Sequence, residues 1–415
     1  MQYLRPNRSL TSSSVRNRSR DVPEPSAPSA RPAPVPIPCF RPFIGEEEIE
    51  AATAVLRSGW LTTGPRAREF EQKFAAFMGD GVEAVAVNSA TAGLHLAAEA
   101  CGIGPGDEVI VPTLTFTATA SIIRYLGAEV VLADVEESTR CIDLDDAERR
   151  LTPRCKAIIP VHFGGLPCDM TKVLAFARRH GLKVIEDAAH ALPARWDGRL
   201  IGSLESDACV FSFYACKPIT TGEGGMITTR DPKIAARARV MRTHGLDRDA
   251  FDRFRKVGAS WAYDVVAPGF KYNLTDVAAA IGVVQLSRAA TLQASRQRAA
   301  ERYLNKLAGL PIECPAAAPA GGLNAWHMFP IRVHESARAS RDDLIAALGA
   351  EGIGTSVHYR PLHEMTYWKE RYHCESGEFA VASRYFAGAV TLPLFAGMTD
   401  AQVDRVVAVV REILG

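Results

Sequence analysis

The pattern of hydrophobic and polar positions divides the chain into three regions. Residues 1 to about 40 are rich in Ser, Arg, Pro and Ala and show no apolar periodicity, so this tail is predicted to be disordered or extended. From Phe43, short apolar runs alternate with segments of helical spacing. After Asn273, one long helix is predicted to run to about Leu307 and to link two domains. The predicted organisation is a tail, a large domain and a small C-terminal domain, covering 1–40, 41–286 and 287–415.

Seven apolar runs of the large domain have the length of buried strands. They lie at 84–88, 108–112, 129–134, 157–163, 183–188, 208–213 and 225–229. Helical spacing is found before and between them, at 46–58, 66–78, 91–101, 117–126 and 170–180. This alternation predicts an α/β fold with a large, mostly parallel sheet that is covered on both faces. In such sheets, ligands bind beyond the carboxyl ends of the strands.

The remaining C-terminal sequence predicts a smaller α+β domain. A strand is predicted within 325–333 (AWHMFPIRV), and a helix is predicted to begin at Ser340. Asp343 stands three residues after Ser340, the spacing of a capping box in which each side chain accepts a backbone N–H of the other residue.

The first candidate for chemistry is the segment NSATAG at 88–93, between a predicted strand and a predicted helix. Small residues let backbone N–H groups at a helix N-terminus approach a phosphate, and the helix dipole favours the anion. A simple helix cap by Ser89 or Thr91 explains the same residues equally well. The segment alone therefore leaves both interpretations open.

The second candidate is Asp187, at the end of the predicted strand KVIED. A buried carboxylate needs a partner, and the ring nitrogen of pyridoxal phosphate is such a partner, because the carboxylate keeps that nitrogen protonated. A helix N-cap is the alternative role for Asp187. His190, three residues on, could contact the cofactor ring or be structural.

The third candidate is Lys217, which follows the predicted strand 208–213 and precedes a Thr- and Gly-rich turn. A lysine at a strand end in a ligand crevice suits Schiff-base chemistry, because partial desolvation makes its free amine more available. Ser212 could hydrogen-bond a phosphate. A surface lysine is the alternative for Lys217 taken alone, but a phosphate cradle, Asp187 and Lys217 at three strand ends together favour a pyridoxal-phosphate enzyme.

Composition and charge exclude several other classes of protein. The formal net charge of +1 gives no support to nucleic-acid binding. Nine cysteines without a CxxC pair indicate reduced thiols in a cytoplasmic protein. No apolar run is long enough to predict a membrane span. The sequence contains no GxxxxGK[ST], HExxH or GxSxG motif, and its histidines have no compact metal spacing, so no metal site is predicted.

The segments GWLTTG, NSATAGLHLA, EDAAHALPA and FSFYACKPITTGEGG resemble the DegT/StrS family of sugar-nucleotide aminotransferases. The resemblance runs from about Arg41 to the C-terminus. It implies fold type I of the pyridoxal-phosphate enzymes, the aspartate-aminotransferase-like fold, with a seven-stranded sheet. Further segments, including PGFKYNLTD and EGIGTSVHYRPLH, resemble the branch that aminates UDP-4-keto-pentose. Tyr214 stands where several relatives have His, and Phe116 where that branch has Trp, so the sugar is left open.

The resemblance also implies roles for individual residues. Lys217 would form the Schiff base and shuttle protons, and Asp187 would pair with the pyridine nitrogen. The other residues implied to contact the cofactor are Thr91, Ala92, Phe116, His190, Ser212 and Asn273. Asn273 would reach the phosphate of the neighbouring subunit's cofactor, which implies a homodimer with shared active sites. Residues expected to line the substrate crevice are Trp60, Thr62, Thr63, His162, His327 and His358.

The activity implied is transfer of the amino group of L-glutamate to a nucleotide-linked keto-sugar, with pyridoxal 5′-phosphate as cofactor and ping-pong kinetics. Two rival functions are kept. A pyridoxal-phosphate enzyme acting on amino acids would bind a substrate carboxylate with an arginine such as Arg332 or Arg360. A non-catalytic regulatory or scaffold protein on the same fold would have no need of Lys217.

Overall fold

The computed structural model describes residues 35–247, 263–375 and 377–415. Most of the predicted disordered tail, residues 1–34, lies outside the described residues. Its last residues correct the prediction, because Pro36–Gly415 forms one compact unit. Ile37 is buried and pairs with Ile353, with backbone hydrogen bonds to Gly352 and Gly354. The division of this unit near residue 286 stays a prediction.

The strands, in chain order, are β1 Glu83–Val87, β2 Glu108–Pro112, β3 Glu129–Ala133, β4 Cys155–Ile158, β5 Lys183–Asp187, β6 Arg195–Trp196, β7 Arg199–Leu200, β8 Ala208–Ser212, β9 Gly225–Thr229, β10 Ile312–Glu313, β11 Phe329–Val333 and β12 Ala389–Leu392. The helices are α1 Glu46–Ser58, α2 Pro65–Met78, α3 Ala90–Ala100, α4 Ala118–Tyr125, α5 Leu144–Arg149, α6 Met170–His180, α7 Pro232–Met241, α8 Asp276–Ser287, α9 Ala289–Leu307, α10 Arg341–Ala350, α11 Thr366–Tyr372, α12 Ala380–Gly388 and α13 Asp400–Leu414.

The predicted α/β architecture is confirmed. Seven strands form one sheet in the order β1-β9-β8-β5-β4-β2-β3. Strand β9 is antiparallel to both neighbours, and the other pairs are parallel. Alternate residues of a strand enter opposite cores: Ala84 and Ala86 pack with α2, α6 and α8, whereas Val85 and Val87 pack with α3, α4 and α7. Helices therefore cover both faces, which is why apolar residues dominate the strands on both faces.

Two predicted strands are shorter than expected. The run 157–163 is extended only to Ile158, because Pro160 has no N–H to donate to a neighbouring strand. The run 325–333 becomes a strand only at Phe329, since Trp326 has a φ of 49°, outside the extended region. The predicted cap of α10 is confirmed: Asp343 N donates to Ser340 Oγ at 3.2 Å, and Ser340 N donates to Asp343 Oδ2 at 3.0 Å.

The long helix predicted to run to about Leu307 is two helices, α8 and α9, that meet at an angle of 63°. The break falls at Arg288, whose φ of −100° and ψ of 0° leave the helical region. Arg288 Nη1 there lies 3.0 Å from both carboxylate oxygens of the buried Glu48. Helix α8 packs on α1 and α2, whereas α9 packs on α13. Of the described helices, none is by itself long and apolar enough to cross a membrane, and only the bent α8–α9 pair meets that length and composition.

Asp276, the first residue of α8, joins α8 to the beginning of α2. Its Oδ1 accepts the backbone N–H groups of Gly64 (2.7 Å) and Ala67 (3.0 Å), and its Oδ2 accepts that of Arg66 (3.1 Å). These donors belong to the beginning of α2, where helical N–H groups lack intrahelical acceptors and favour a negative charge. The carboxylate therefore fixes the loop 59–64 against α8.

We expect Asp276→Ala to lower the free energy of unfolding by about 2–4 kcal/mol, because three N–H groups lose a charged acceptor. Urea denaturation followed by circular dichroism measures this loss. Asp342→Ala is the control, since Asp342 is exposed on α10 and pairs with its neighbour Arg341. Equal unfolding midpoints for Asp276→Ala and the control would contradict the assignment.

Candidate active site

The carboxyl ends of β2, β5 and β8 converge on a cavity of about 340 Å³. Segments that follow these strands supply most of the wall, together with the beginning of α3 and two residues from the C-terminal part of the chain. Polar and reactive side chains in the wall are Ser89, Thr91, Thr115, Asp187, His190, Ser212, Tyr214, Cys216, Lys217, Glu223, His358 and Tyr359. The cavity therefore lies where ligands bind in open parallel sheets.

One end of the cavity is built to receive an anion. Ser89 caps α3, its Oγ accepting the N–H of Ala92 at 3.1 Å, and the dipole of this helix favours negative charge at the same end. Gly225 lets the sheet approach closely, since a Cβ there would lie 2.8 Å from Ala90 N. Thr91 and Ser212 line the cavity beside this helix end. Ala92 is buried, its backbone N–H is donated to Ser89 Oγ, and it is not among the described residues that line the cavity.

Asp187 lies in the cavity wall at the end of β5. Its Oδ2 accepts a hydrogen bond from Thr119 Oγ1 at 2.7 Å, and its Oδ1 accepts one from Ala189 N at 3.1 Å. Burial raises the pKa of this carboxyl above its ordinary value, although both donors and the nearby Lys217 act in the opposite direction. A cationic ring N–H placed against the carboxylate would favour its ionised form. The environment of Asp187 thus fits the pyridine nitrogen of pyridoxal phosphate.

Lys217 also lies in the cavity wall, five residues after β8. Desolvation lowers the pKa of its ammonium to about 8, so roughly a tenth of the side chain is the free amine at pH 7, far more than for an ordinary lysine. Its Nζ lies 3.3 Å from Nε2 of His327, which is buried. Desolvation, with the positive charge of Lys217, holds the pKa of His327 well below its ordinary value. A neutral histidine beside a partly neutral amine suits a lysine that must react and exchange protons.

Two aromatic side chains complete the wall beside Lys217. His190 Nε2 lies 3.1 Å from the hydroxyl of Tyr359, and burial lowers the pKa of His190 well below its ordinary value. Nδ1 of His190 is buried without a hydrogen-bond partner among the described residues. Such an atom is costly unless something satisfies it. Because His190 lines the cavity, a bound ligand can supply the missing partner.

We expect the amine of Lys217 in the cofactor-free protein to react with an acylating reagent with a midpoint near pH 8, because only the unprotonated amine is nucleophilic. Reactivity should rise as the pH increases through this value. Peptide mass spectrometry after brief labelling measures the profile, with the exposed Lys156 as internal reference. A Lys217 midpoint above pH 10 would contradict the desolvated environment.

The structure places the other predicted cofactor and substrate residues in three environments. Phe116 and His358 line the cavity, and Nδ1 of His358 lies 2.8 Å from Thr391 Oγ1. His162 has no exposed surface and does not line the cavity, because its ring is held between Glu186 Oε2 (2.9 Å) and the N–H of Cys168 (3.0 Å). His327 is buried, and its Nε2 lies 3.3 Å from Nζ of Lys217.

The predicted substrate loop lies outside the cavity wall formed by this chain. Trp60 Nε1 donates to the carbonyl of Thr63 at 3.4 Å, and Thr62 is exposed. Thr63 Oγ1 donates to the carbonyl of Leu274 at 2.6 Å and accepts from Asn273 Nδ2 at 2.7 Å. Asn273 is therefore joined to this loop. Contact of these residues with a substrate or a second subunit's cofactor stays a prediction.

Thr119 and Tyr359 belong to the site but were not among the predicted residues. Tyr359 contacts a histidine 169 positions away, so no local pattern reveals it. Thr119 had a weak signal, since threonines occupy alternate positions around Phe116 in the segment TLTFTAT. A larger cavity of about 470 Å³ lies between α2 and α7, but the described residues that line it include no lysine, histidine or cysteine. It offers nothing for imine chemistry.

Known proteins similar to this chain are sugar aminotransferases and a polysaccharide biosynthesis protein. A spore coat polysaccharide biosynthesis protein of Bacillus subtilis, SpsC, is 45% identical over 380 residues, which cover 91% of this chain and 97% of that protein. A solved structure from Streptococcus pneumoniae, described as a sugar aminotransferase in its pyridoxal-phosphate form, matches with a TM-score of 0.84 and 32% identity. The match covers 92% of this chain and 100% of that one.

Helicobacter pylori PseC, described as an aminotransferase of pseudoaminic acid biosynthesis, matches with a TM-score of 0.84 and 26% identity, covering 92% of this chain and 99% of that one. The model of the DegT/DnrJ/EryC1/StrS aminotransferase family matches residues 42–411. The structure, the relatives and the family agree on a pyridoxal-phosphate-dependent enzyme. The chain belongs to the DegT/DnrJ/EryC1/StrS aminotransferase family and is a sugar aminotransferase.

Proposed function

We propose that this enzyme transfers the amino group of L-glutamate to the keto group of a nucleotide-linked 4-keto sugar, such as a UDP-4-keto-pentose, in the cytoplasm. The observation that carries the proposal is the meeting of Lys217, Asp187 and the α3 N-terminus in one cavity. The location rests on nine free thiols, which suit a reducing compartment. Polysaccharide synthesis by the relative from B. subtilis supports a sugar that enters a polymer.

When bound, pyridoxal phosphate supplies a ring that holds the electron pair left on the donor carbon as a proton departs. Thr91, Ser212 and the α3 N-terminus would hold its phosphate, and Phe116 would pack against its ring. Asp187 would keep the ring nitrogen protonated. Lys217 would accept the proton from the donor carbon as a general base and return it as a general acid, and reverse these roles for the sugar. The partly neutral state of its amine supports both duties.

The alternative of a pyridoxal-phosphate enzyme that acts on amino acids alone required an arginine such as Arg332 or Arg360 to bind the substrate carboxylate. The described residues that line the cavity include no arginine to bind a substrate carboxylate. Arg332 is engaged by Glu313, and Arg360 donates to the carbonyl of Glu364 at 2.8 Å. The scaffold rival is overturned by the family match and by the cofactor-bound forms of similar enzymes.

We further propose that the enzyme acts as a homodimer whose partner completes the open side of the cavity. Two aromatic side chains at the cavity, Phe116 and Tyr214, are 58% and 49% exposed. On α1, Ile49 and Leu56 are also exposed. Exposed apolar surface of this kind favours a protein interface, and a symmetric pair is the commonest arrangement of identical chains.

The test is amino transfer by the cofactor-loaded enzyme, measured as 2-oxoglutarate release and as amino-sugar product by mass spectrometry. The substrates are 4-keto sugars linked to UDP or dTDP, a matched 3-keto sugar nucleotide, the free keto-sugars and simple keto acids. We expect turnover with L-glutamate and a 4-keto sugar nucleotide. Equal turnover of free sugars, or turnover of keto acids alone, would contradict a nucleotide-linked substrate.

A further inference from the structure

Two buried threonines connect the segment after β2 to Asp187. Thr119 Oγ1 lies 2.7 Å from Asp187 Oδ2 and 2.8 Å from Thr115 Oγ1. Thr119 is 0% exposed and Thr115 is 1% exposed. Neither hydroxyl therefore depends on solvent for its hydrogen bonds. The same segment carries Phe116, which lines the cavity, so the segment contributes both to the cavity wall and to the environment of Asp187.

The direction of the hydrogen bonds between Thr115, Thr119 and Asp187 follows from the single proton that each threonine hydroxyl can donate. A threonine hydroxyl donates one proton and can accept others. Thr119 has two acceptors in reach, Asp187 Oδ2 at 2.7 Å and the carbonyl of Phe116 at 3.1 Å. That carbonyl already accepts the backbone N–H of Thr119 at 3.2 Å. An ionised carboxylate is the stronger and closer acceptor, so Thr119 donates to Asp187 and Thr115 donates to Thr119.

We propose that Thr119 is a positioning residue that holds the Asp187 carboxylate for the cofactor's ring nitrogen, and that Thr115 orients the Thr119 hydroxyl. With Oδ2 held by Thr119 and Oδ1 by Ala189 N–H, the carboxylate plane is fixed. A fixed acceptor loses less conformational freedom when it pairs with the ring. The inference rests on the pairing of Asp187 with the ring nitrogen that is proposed above.

A purely local role does not account for these contacts. A threonine in the first turn of a helix commonly bonds a carbonyl of the preceding turn, and Phe116 offers that carbonyl. The shorter contact nevertheless goes to a carboxylate 68 positions along the chain, at the end of another strand. Burial raises the pKa of Asp187, and the hydrogen bond from Thr119 is the largest opposing influence. Thr119 thus supports the ionised form that the cofactor requires.

The test compares two ligands of the cofactor-free protein by equilibrium titration. One is pyridoxal phosphate, and the other is its analogue with carbon in place of the ring nitrogen, which has no N–H for Asp187. We expect Thr119→Val, which keeps the side-chain shape, to weaken pyridoxal phosphate binding roughly 10- to 100-fold, as for other hydrogen bonds to charged groups. The carbon analogue should bind to it as to the wild type. Thr119→Ser should restore binding, and Thr115→Val should show a smaller loss with the same ligand preference.

Asp187→Asn is titrated in parallel, and binding of the carbon analogue reports that each variant keeps a folded site. Equal weakening of both ligands by Thr119→Val, or a Ser variant no better than Val, would overturn the inference. If Asp187→Asn removes the preference for pyridoxal phosphate while Thr119→Val retains it, only the role of Thr119 fails. If Asp187→Asn leaves the preference intact, the Asp187 pairing itself fails. No sugar is present, so the proposed substrate is not at stake.

Discussion

Lys217→Ala should reduce amino transfer by at least about 10³-fold, because it removes both the covalent attachment point and the general acid/base. The absorbance of the loaded protein reports this directly. The wild type should show a visible cofactor band that L-glutamate bleaches, whereas Lys217→Ala should lack the lysine-linked band or fail to turn over. The position of Lys217 beside Asp187 in the cavity, with an ammonium pKa of about 8, is the reason to expect it.

Lys156→Ala is the matched control for this loss. Lys156 lies in β4 near its beginning, whereas the active site lies beyond the carboxyl ends of the parallel strands, and its ammonium pairs with Asp107 at 3.4 Å on the surface. The control should keep the band and the turnover. Bleaching and turnover at the wild-type rate by Lys217→Ala would remove Lys217 from the mechanism. A colourless wild-type protein that pyridoxal phosphate cannot reconstitute would contradict the cofactor site itself.

Asp187→Asn should lower kcat/KM by roughly 10²- to 10³-fold. Removing one charged partner of a buried pair costs about 3–5 kcal/mol, and an amide cannot stabilise a protonated ring nitrogen as a carboxylate does. Asn keeps the volume of Asp, but its single carboxamide oxygen can accept only one of the two hydrogen bonds that Thr119 and Ala189 donate to the two oxygens of Asp187. Steady-state kinetics at saturating cofactor separate loss of chemistry from loss of binding.

Glu205→Gln provides the comparison for Asp187→Asn, since Glu205 is an exposed carboxylate paired with Arg199. It undergoes the same chemical change outside the cavity, and its kinetics should match the wild type. A kcat/KM for Asp187→Asn within a few-fold of this control would mean that the ring nitrogen needs no carboxylate. Asp187 would then serve only to order the end of β5.

The sequence predicted the large sheet well because each of its strands is buried on both faces. The run 109–111 in β2, for example, is apolar without a break and lies between Glu108 and Pro112. Strand boundaries were predicted wrongly where a single residue determines them. Pro160 ends the run 157–163 early, and the positive φ of Trp326 shifts the start of the run 325–333 to Phe329. The break at Arg288 was also missed, since its partner Glu48 lies 240 positions earlier and the apolar pattern continues through it.

Within the site, the residues at strand ends were predictable and the contacts between distant segments were not. Lys217, Asp187 and Thr91 follow strands that pattern alone identifies, and all three line one cavity. The hydroxyl of Tyr359 beside His190, and that of Thr119 on Asp187, depend on how separate segments pack. His162 shows the converse: the family resemblance implied that it lines the crevice, yet Glu186 and a backbone N–H hold it in the interior.

The hydrogen bond between Asn273 and Thr63 makes the loop 59–64 and the segment before α8 one mechanical unit. Asp276 reinforces this unit by binding the backbone of Gly64. In a symmetric pair of chains, the loop would contact the sugar and Asn273 would reach the neighbouring cofactor. The hydrogen bonds of Thr63, Asn273 and Asp276 would then connect the two active sites. In the proposed dimer, any change in sugar affinity caused by the state of the neighbouring cofactor would be matched by an equal change in cofactor affinity caused by the sugar.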